Sequence, residues 1–262
     1  MKKFIVGASI GLVLIAIGIG MSTGRIKIPG SETVIDIATT TPTSTIKMVI
    51  IKEKKFITQE GKVEYTLVVP DVTNAPILKK NIEDYVEGFK KNIAQVAADI
   101  DLEGASSNYS LNINYDLVRN DSQIVVIKMS AYEFTGGAHG NPSFAFFQYD
   151  TQQERMIGEE EIFIDRKNKD LFGIVQDVFL KKPEYIYDDG GTKRSMFFTS
   201  EYPQEFQEAL MGSGNIAFTK DGIIFKYGAY VIGPYAIGEP EVILLYNQIE
   251  QFLSTYAKTF YK

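Results

Sequence analysis

The only histidine in the 262-residue chain, His139, lies in the run Thr135-Gly136-Gly137-Ala138-His139-Gly140. An imidazole on a glycine-rich turn could act as a general base if a carboxylate oriented it, and Glu133 and Asp150 are the nearest by sequence. It could equally contact a ligand, or hydrogen-bond to backbone where glycine permits positive φ. No Gly-x-Ser-x-Gly elbow accompanies it and the chain has no cysteine, so a covalent mechanism has no attacking group. One imidazole and no thiolate exclude soft-ligand metal chemistry. Gly136, Gly137 and Gly140 could form an anion-binding nest, but Pro142 interrupts where a phosphate loop would start its helix.

A second group of chemically useful residues lies near the C-terminus. Tyr227, Tyr230, Tyr235 and Tyr246 surround a segment rich in glycine and proline, from Gly228 to Pro240. Tyrosine offers a flat apolar face with a polar tip, suited to sugar or protein contact. With 15 Tyr and 17 Phe and no Trp, most aromatic rings must nevertheless serve the core. The candidate ligand-binding residues are therefore Gly136, Gly137, His139, Tyr230 and Tyr235, with no catalytic residue, metal ligand or cofactor expected. Glu159-Glu160-Glu161 reads as a solvated turn. Asp188-Asp189-Gly190-Gly191 lacks the spaced oxygens of a calcium loop and reads as a mobile surface loop.

The elements that position these groups begin after an apolar leader. Lys2 and Lys3 precede an uncharged run of eighteen residues, Phe4 to Met21. As a helix this spans about 27 Å at ~1.5 Å per residue, close to a ~30 Å bilayer core. A transmembrane anchor at 1–21 is expected, with the lysines inside and the rest of the chain outside the cytoplasm. Gly18 and Gly20 also suit a cleaved signal, which would make the protein secreted. Absence of cysteine excludes a lipoprotein and any disulfide. Without Lys2 and Lys3, the 27 basic side chains become 25 against 33 acidic ones, a net charge of −8. That balance disfavours nucleic acid and favours a cationic partner.

Residues 22–46 read as a Thr/Ser/Pro linker around Thr39–Thr45. Strands follow at Met48–Ile51 and Val63–Pro70, joined by a charged turn around Gly61. Asn74 is placed to cap a helix in which Ile77, Leu78, Ile82, Tyr85, Val86, Phe89, Ile93, Val96, Ala97 and Ile100 form one apolar stripe. Strands at 111–117, 123–134 and 143–149 come next. Helices are expected around 171–179 and 206–210, a hairpin at Ile216–Phe225, a strand at 241–245, and a closing helix through Ile249, Phe252, Leu253 and Tyr256. The mixture is α+β: two interleaved halves, 48–152 and 153–262, with antiparallel sheets packed against helices and an N-terminal transmembrane helix.

Two stretches resemble a known family. Tyr132 to Gly140, followed by Tyr149-Asp150, resembles the core of a paired extracytoplasmic domain of unknown function. Phe218 to Phe225, running on to Tyr230-Val231-Ile232-Gly233-Pro234-Tyr235-Ala236-Ile237-Gly238, resembles its C-terminal signature. Members include the outer part of RsiV-like anti-sigma factors, which bind lysozyme, and the N-terminal region of PdaC-like peptidoglycan deacetylases. The resemblance covers roughly residues 48–262. A deacetylase domain of that type holds its metal with an aspartate and two histidines, which one histidine does not supply, and only three residues precede the leader where an anti-sigma domain would stand. The resemblance therefore implies a tethered outer module that binds a cell-wall component, such as a peptidoglycan fragment, or a lysozyme-like cationic protein. A wall hydrolase centred on His139 and a structural accessory of an envelope complex are the alternatives.

Overall fold

The computed structural model describes residues 25–27, 34–36, 48–99 and 109–261. The expected leading helix, most of the linker and Ile100 lie outside the described residues. Within 22–46, β1 (Arg25–Lys27) and β2 (Val34–Asp36) pair antiparallel. Among the described residues no helix is long and apolar enough to cross a membrane. Residues 47–262 form one compact unit.

That unit is built on a six-stranded sheet in sequential order: β3 (Ile51–Glu60), β4 (Val63–Val72), β5 (Tyr109–Asn120), β6 (Ile124–Phe134), β7 (Asn141–Asp150) and β8 (Arg155–Met156). Neighbours are antiparallel except β4 and β5, which run parallel. A parallel pair needs a long crossover, and α1 (Pro76–Asp99) supplies it. The expected antiparallel pairing holds at every other step of this sheet, and the crossover helix makes the exception. The stripe on α1 packs as its periodicity predicts, with Leu78, Ile82, Val86 and Ile93 buried. Ile77, placed in that stripe, is exposed instead. Asn74 does not cap α1: its amide accepts from Ile50 N at 2.8 Å and donates to Met48 O at 2.9 Å, tying down the entry to β3. The charged turn expected around Gly61 is the two-residue turn Gly61–Lys62, with Gly61 at φ +60°, and it is tight enough that β3 continues through the lysines to put Glu60 opposite Val63.

The C-terminal half adds α2 (Lys169–Lys181), β9 (Ile186–Asp189), β10 (Thr192–Ser195), α3 (Pro203–Ser213), β11 (Asn215–Phe218), β12 (Gly222–Lys226), β13 (Glu241–Leu245) and the single turn α4 (Tyr246–Ile249). Strands β11, β12 and β13 form an antiparallel sheet. Asn168 caps α2, accepting from Asp170 N and Leu171 N. Asp188-Asp189-Gly190-Gly191 is no loose loop but the tight turn of the β9–β10 hairpin, with both glycines at positive φ and the Asp188 carboxylate accepting from Gly191 N. Most of the expected closing helix is absent among the described residues. Ile164 N donates to Phe252 O and Ser254 N to Ile162 O, so Phe252–Ser254 is drawn into strand-like pairing between short helical turns.

Strand β6 joins the halves. Val125, Ile127 and Met129 face α1 and the first core, whereas Ile124 and Val126 enter a second core with Phe172, Phe179, Phe218 and Phe225. Burial on both faces explains the uninterrupted apolar run Ile124-Val125-Val126-Ile127. Polar groups fasten the contact. Buried Gln148 on β7 donates to Ile216 O and accepts from Phe218 N, both at 2.9 Å, so its amide acts as one peptide unit of a strand partner for β11. Arg119 on β5 donates to Thr219 O and Phe260 O and pairs with Asp121 at 2.6 Å. Glu159–Glu161 is a single helical turn with Glu160 exposed, but the other two carboxylates are engaged. Glu159 accepts from Ile216 N at 2.9 Å, and burial holds its carboxyl pKa above the ordinary value despite Arg166 at 3.5 Å. Glu161 makes a two-pronged ion pair with Arg155, which lowers its pKa.

Candidate functional site

The two groups picked out in the sequence meet. The β6–β7 turn carries His139, and the connection between β12 and β13 carries Tyr230 and Tyr235. His139 stacks on Tyr235 with ring centroids 4.2 Å apart and planes inclined by 21°. Its Nε2 lies 3.3 Å from the Tyr230 hydroxyl, and Tyr230 and Tyr235 are 5.5 Å apart centroid to centroid. His139 Nδ1 is 3.0 Å from Gly140 O. Since a carbonyl can only accept, Nδ1 carries the proton of the neutral ring and Nε2 accepts from Tyr230.

Gly140 is the pivot. Its N–H donates to the Tyr132 hydroxyl at 2.9 Å, and its carbonyl accepts from the Tyr235 hydroxyl at 3.3 Å. A Cβ at this position would stand 2.6 Å from the Tyr132 ring and from Glu133 O, so only glycine lets Tyr132 close over the turn. Gly136 and Gly137, at φ +96° and +95°, form the turn that lifts His139. Open space surrounds Gly137, so it is backbone conformation rather than crowding that calls for glycine there. Partial burial, followed by the neighbouring Tyr132 hydroxyl, raises the Tyr235 phenol pKa above its ordinary value.

Tyr230 is 54% exposed yet holds φ +67°, a conformation costly for a side chain with a Cβ. The loop that imposes it is pinned at both ends. Tyr227 N donates to Pro240 O, and buried Lys226 donates to Glu239 O at 3.1 Å and pairs with Glu241 at 2.8 Å beneath the Phe144 ring. Phe198 N donates to Ile232 O, which brings another exposed ring, 58% accessible, up to this loop.

The carboxylates proposed as partners of His139 are engaged elsewhere. Glu133 accepts from Asn92 of α1 at 3.0 Å, on the opposite sheet face from Tyr132, and Asp150 accepts from Tyr256 at 2.7 Å. Strand parity explains the first, since alternate residues of β6 face opposite sides. Among the described residues no three His, Asp or Glu side chains converge as a metal site. The arrangement is thus an exposed aromatic surface with polar tips, in which neither Glu133 nor Asp150 orients the imidazole. Sequence reading missed Tyr132 and Phe198. Tyr132 was legible through its place beside the glycine run, whereas nothing local marked Phe198.

Residues 53–142 match the family described as Deacetylase PdaC, and residues 160–247 match DUF3298, a family of proteins of unknown function. The chain pairs a PdaC-like half with a DUF3298-like half. It is similar to peptidoglycan-N-acetylmuramic acid deacetylase PdaC of Bacillus subtilis, at 26% identity over 128 residues. That match covers 45% of this chain and only 27% of the relative, so the chain corresponds to about a quarter of that protein. Two crystal structures of DUF3298 family proteins share the fold. The one from Pseudomonas aeruginosa has TM-score 0.53 and 18% identity, over 80% of this chain and 94% of that one. The other, from Bacteroides fragilis, has TM-score 0.52 and 18% identity, over 79% and 94%. His139 belongs to the PdaC-like half and Tyr230 and Tyr235 to the DUF3298-like half, so the aromatic cluster lies where the two meet.

Proposed function

We propose that this chain is a binding module of the cell envelope that holds a peptidoglycan fragment without turning it over. In this reading the run Phe4–Met21 anchors it, residues 22–46 are its tether, and the folded unit faces outward. The convergence of His139, Tyr230 and Tyr235 on an exposed surface, from loops of different halves, carries the reading. Stacked rings with hydroxyl and imidazole tips match the alternating apolar faces and hydroxyl edges of a sugar. Strain kept at an exposed tyrosine is what a recognition site retains. The PdaC relative is named for action on peptidoglycan, which supports the ligand class. Engagement of Glu133 by Asn92 and of Asp150 by Tyr256 supports binding over hydrolysis.

Calorimetric titration with muropeptides tests it. Binding is expected with the native chain and to weaken about tenfold, ~1.4 kcal/mol, in Tyr230→Ala or Tyr235→Ala. No heat with the native chain refutes the reading, and release of acetate or reducing sugar that disappears in His139→Ala would establish the enzyme instead. A second reading, capture of a lysozyme-like cationic protein, is favoured by the acidic balance of the chain. A pull-down with lysozyme that weakens as salt rises separates it from glycan binding.

A further inference from the structure

Strand β3 is one edge of the six-stranded sheet, and among the described residues no strand pairs with its outer side. Ile50 O accepts from Thr73 N, and the same register continues from Ile51 opposite Val72 to Glu60 opposite Val63. In an antiparallel ladder hydrogen-bonded pairs alternate. Even-numbered residues therefore bond to β4, and the N–H and C=O groups of Ile51, Glu53, Lys55, Ile57 and Gln59 point away from the sheet. The strand contains no proline, glycine or bulge. At its centre Phe56 and Ile57 are 49% and 71% exposed. Lys52, Lys54 and Lys55 are the sort of charges that deter indiscriminate edge pairing.

One arrangement gives the outermost lysine an acidic partner while using the whole strand. When two copies of β3 run antiparallel about a two-fold axis through Phe56, Lys52 faces Glu60, Glu53 faces Gln59, Lys54 faces Thr58 and Lys55 lies along Ile57. A one-residue slip sets outward backbone groups against inward ones and forms no ladder. Slipping by two residues in one direction places Lys55 against its own counterpart. The opposite slip does set Lys54 against Glu60, but it ends the ladder there, leaves Lys52 without an acidic partner and puts Ile57 rather than Phe56 on the axis. Phe56 also walls an apolar groove of about 490 Å³ between the β3–β4 hairpin and α1, with Leu67, Ile82 and Val86 among its lining. The symmetric pairing sets a second Phe56 ring beside the first, at the open side of that groove.

We propose that β3 is a self-association edge, through which two copies of this chain join their sheets with Phe56 on the axis. The proposal is independent of what the aromatic surface binds. The chain has no cysteine, so an introduced one is the sole thiol. In Phe56→Cys the symmetric partners fall in a non-hydrogen-bonded pair, with Cα atoms ~4.5 Å apart and within the ~4.4–6.8 Å range of a disulfide. Mild oxidation of the full chain in its host membrane is expected to yield a reducible homodimer on non-reducing gels. Ile57→Cys, displaced from its counterpart by two residues, ~7 Å along the strand, is expected to remain monomeric. Adding Lys52→Glu to Phe56→Cys is expected to cut the yield at least fivefold, and adding Glu60→Lys as well to restore it. A persistent monomer, equal cross-linking of both thiols, or a mixed disulfide with a different polypeptide overturns the proposal.

Discussion

At one end of β6, Ile124 to Ile127 are buried to the last side chain, feeding two cores by turns. At the other end the same strand delivers Tyr132, partly exposed, and beyond the turn His139 in the open. The first region is held by apolar burial on both faces. The second is held by a few directed contacts to Gly140 and by a strained tyrosine facing it. Scaffold and recognition surface therefore share a backbone but not the forces that maintain them, and substitutions at the two ends must fail in different ways.

The largest effect belongs to the buried end. Ile127→Ala is expected to cost about 2–5 kcal/mol through lost contacts and a residual cavity, while a chain that still folds keeps its ligand affinity; denaturant unfolding alongside calorimetry reads both. Gln148→Leu leaves Ile216 O and Phe218 N without their partner and is expected to cost about 1–3 kcal/mol. Because it loosens the C-terminal half from β7, amide exchange is expected to speed up in β11 more than in α1. Tyr230→Gly inverts the pattern. Removing the Cβ from a positive-φ position is expected to hold stability or raise it by up to ~1 kcal/mol, while muropeptide binding weakens about tenfold as in Tyr230→Ala; a destabilised variant would mean that the ring belongs to the scaffold. The smallest effect is electrostatic. Burial raises the Glu159 pKa in the folded state, so its proton is favoured there, and stability present below the unfolded value of 4.5 declines as pH rises through the folded one. Glu159→Gln is accordingly expected to melt slightly higher than the native chain at pH 7 and at the same temperature near pH 4.

Where burial period sets the structure, the amino-acid order declared it. The stripe from Leu78 to Ile93, the alternation of 111–117 and the Asp221-Gly222 hairpin each carry their own spacing. What local spacing could not carry was the choice among polar partners. Asn74 reads as a helix cap because a capping side chain and a strand-entry clasp are chemically the same group. Asp188-Asp189-Gly190-Gly191 suits an open loop as well as a hairpin turn until Thr192–Ser195 folds back on Ile186–Asp189. Glu133 and Asp150 flank the histidine in sequence, but strand parity sends one to α1 and the strand's length carries the other to Tyr256. The residues of the aromatic cluster were nameable from their glycine and proline surroundings. Their meeting was not, since His139 and Tyr230 are 91 positions apart and are joined only when β11 docks on β7.

The two-faced burial of β6 also governs the order of assembly. As the chain leaves the ribosome, residues up to Asp150 can complete the first core around α1 before the C-terminal strands exist. Ile124, Val126 and the partly buried Phe146 then wait uncovered on the far side of a finished sheet. Until α2 and β11 to β13 arrive, the nascent protein is a half-clad intermediate with a sticky plane, and how long it lingers there sets its demand for chaperone protection.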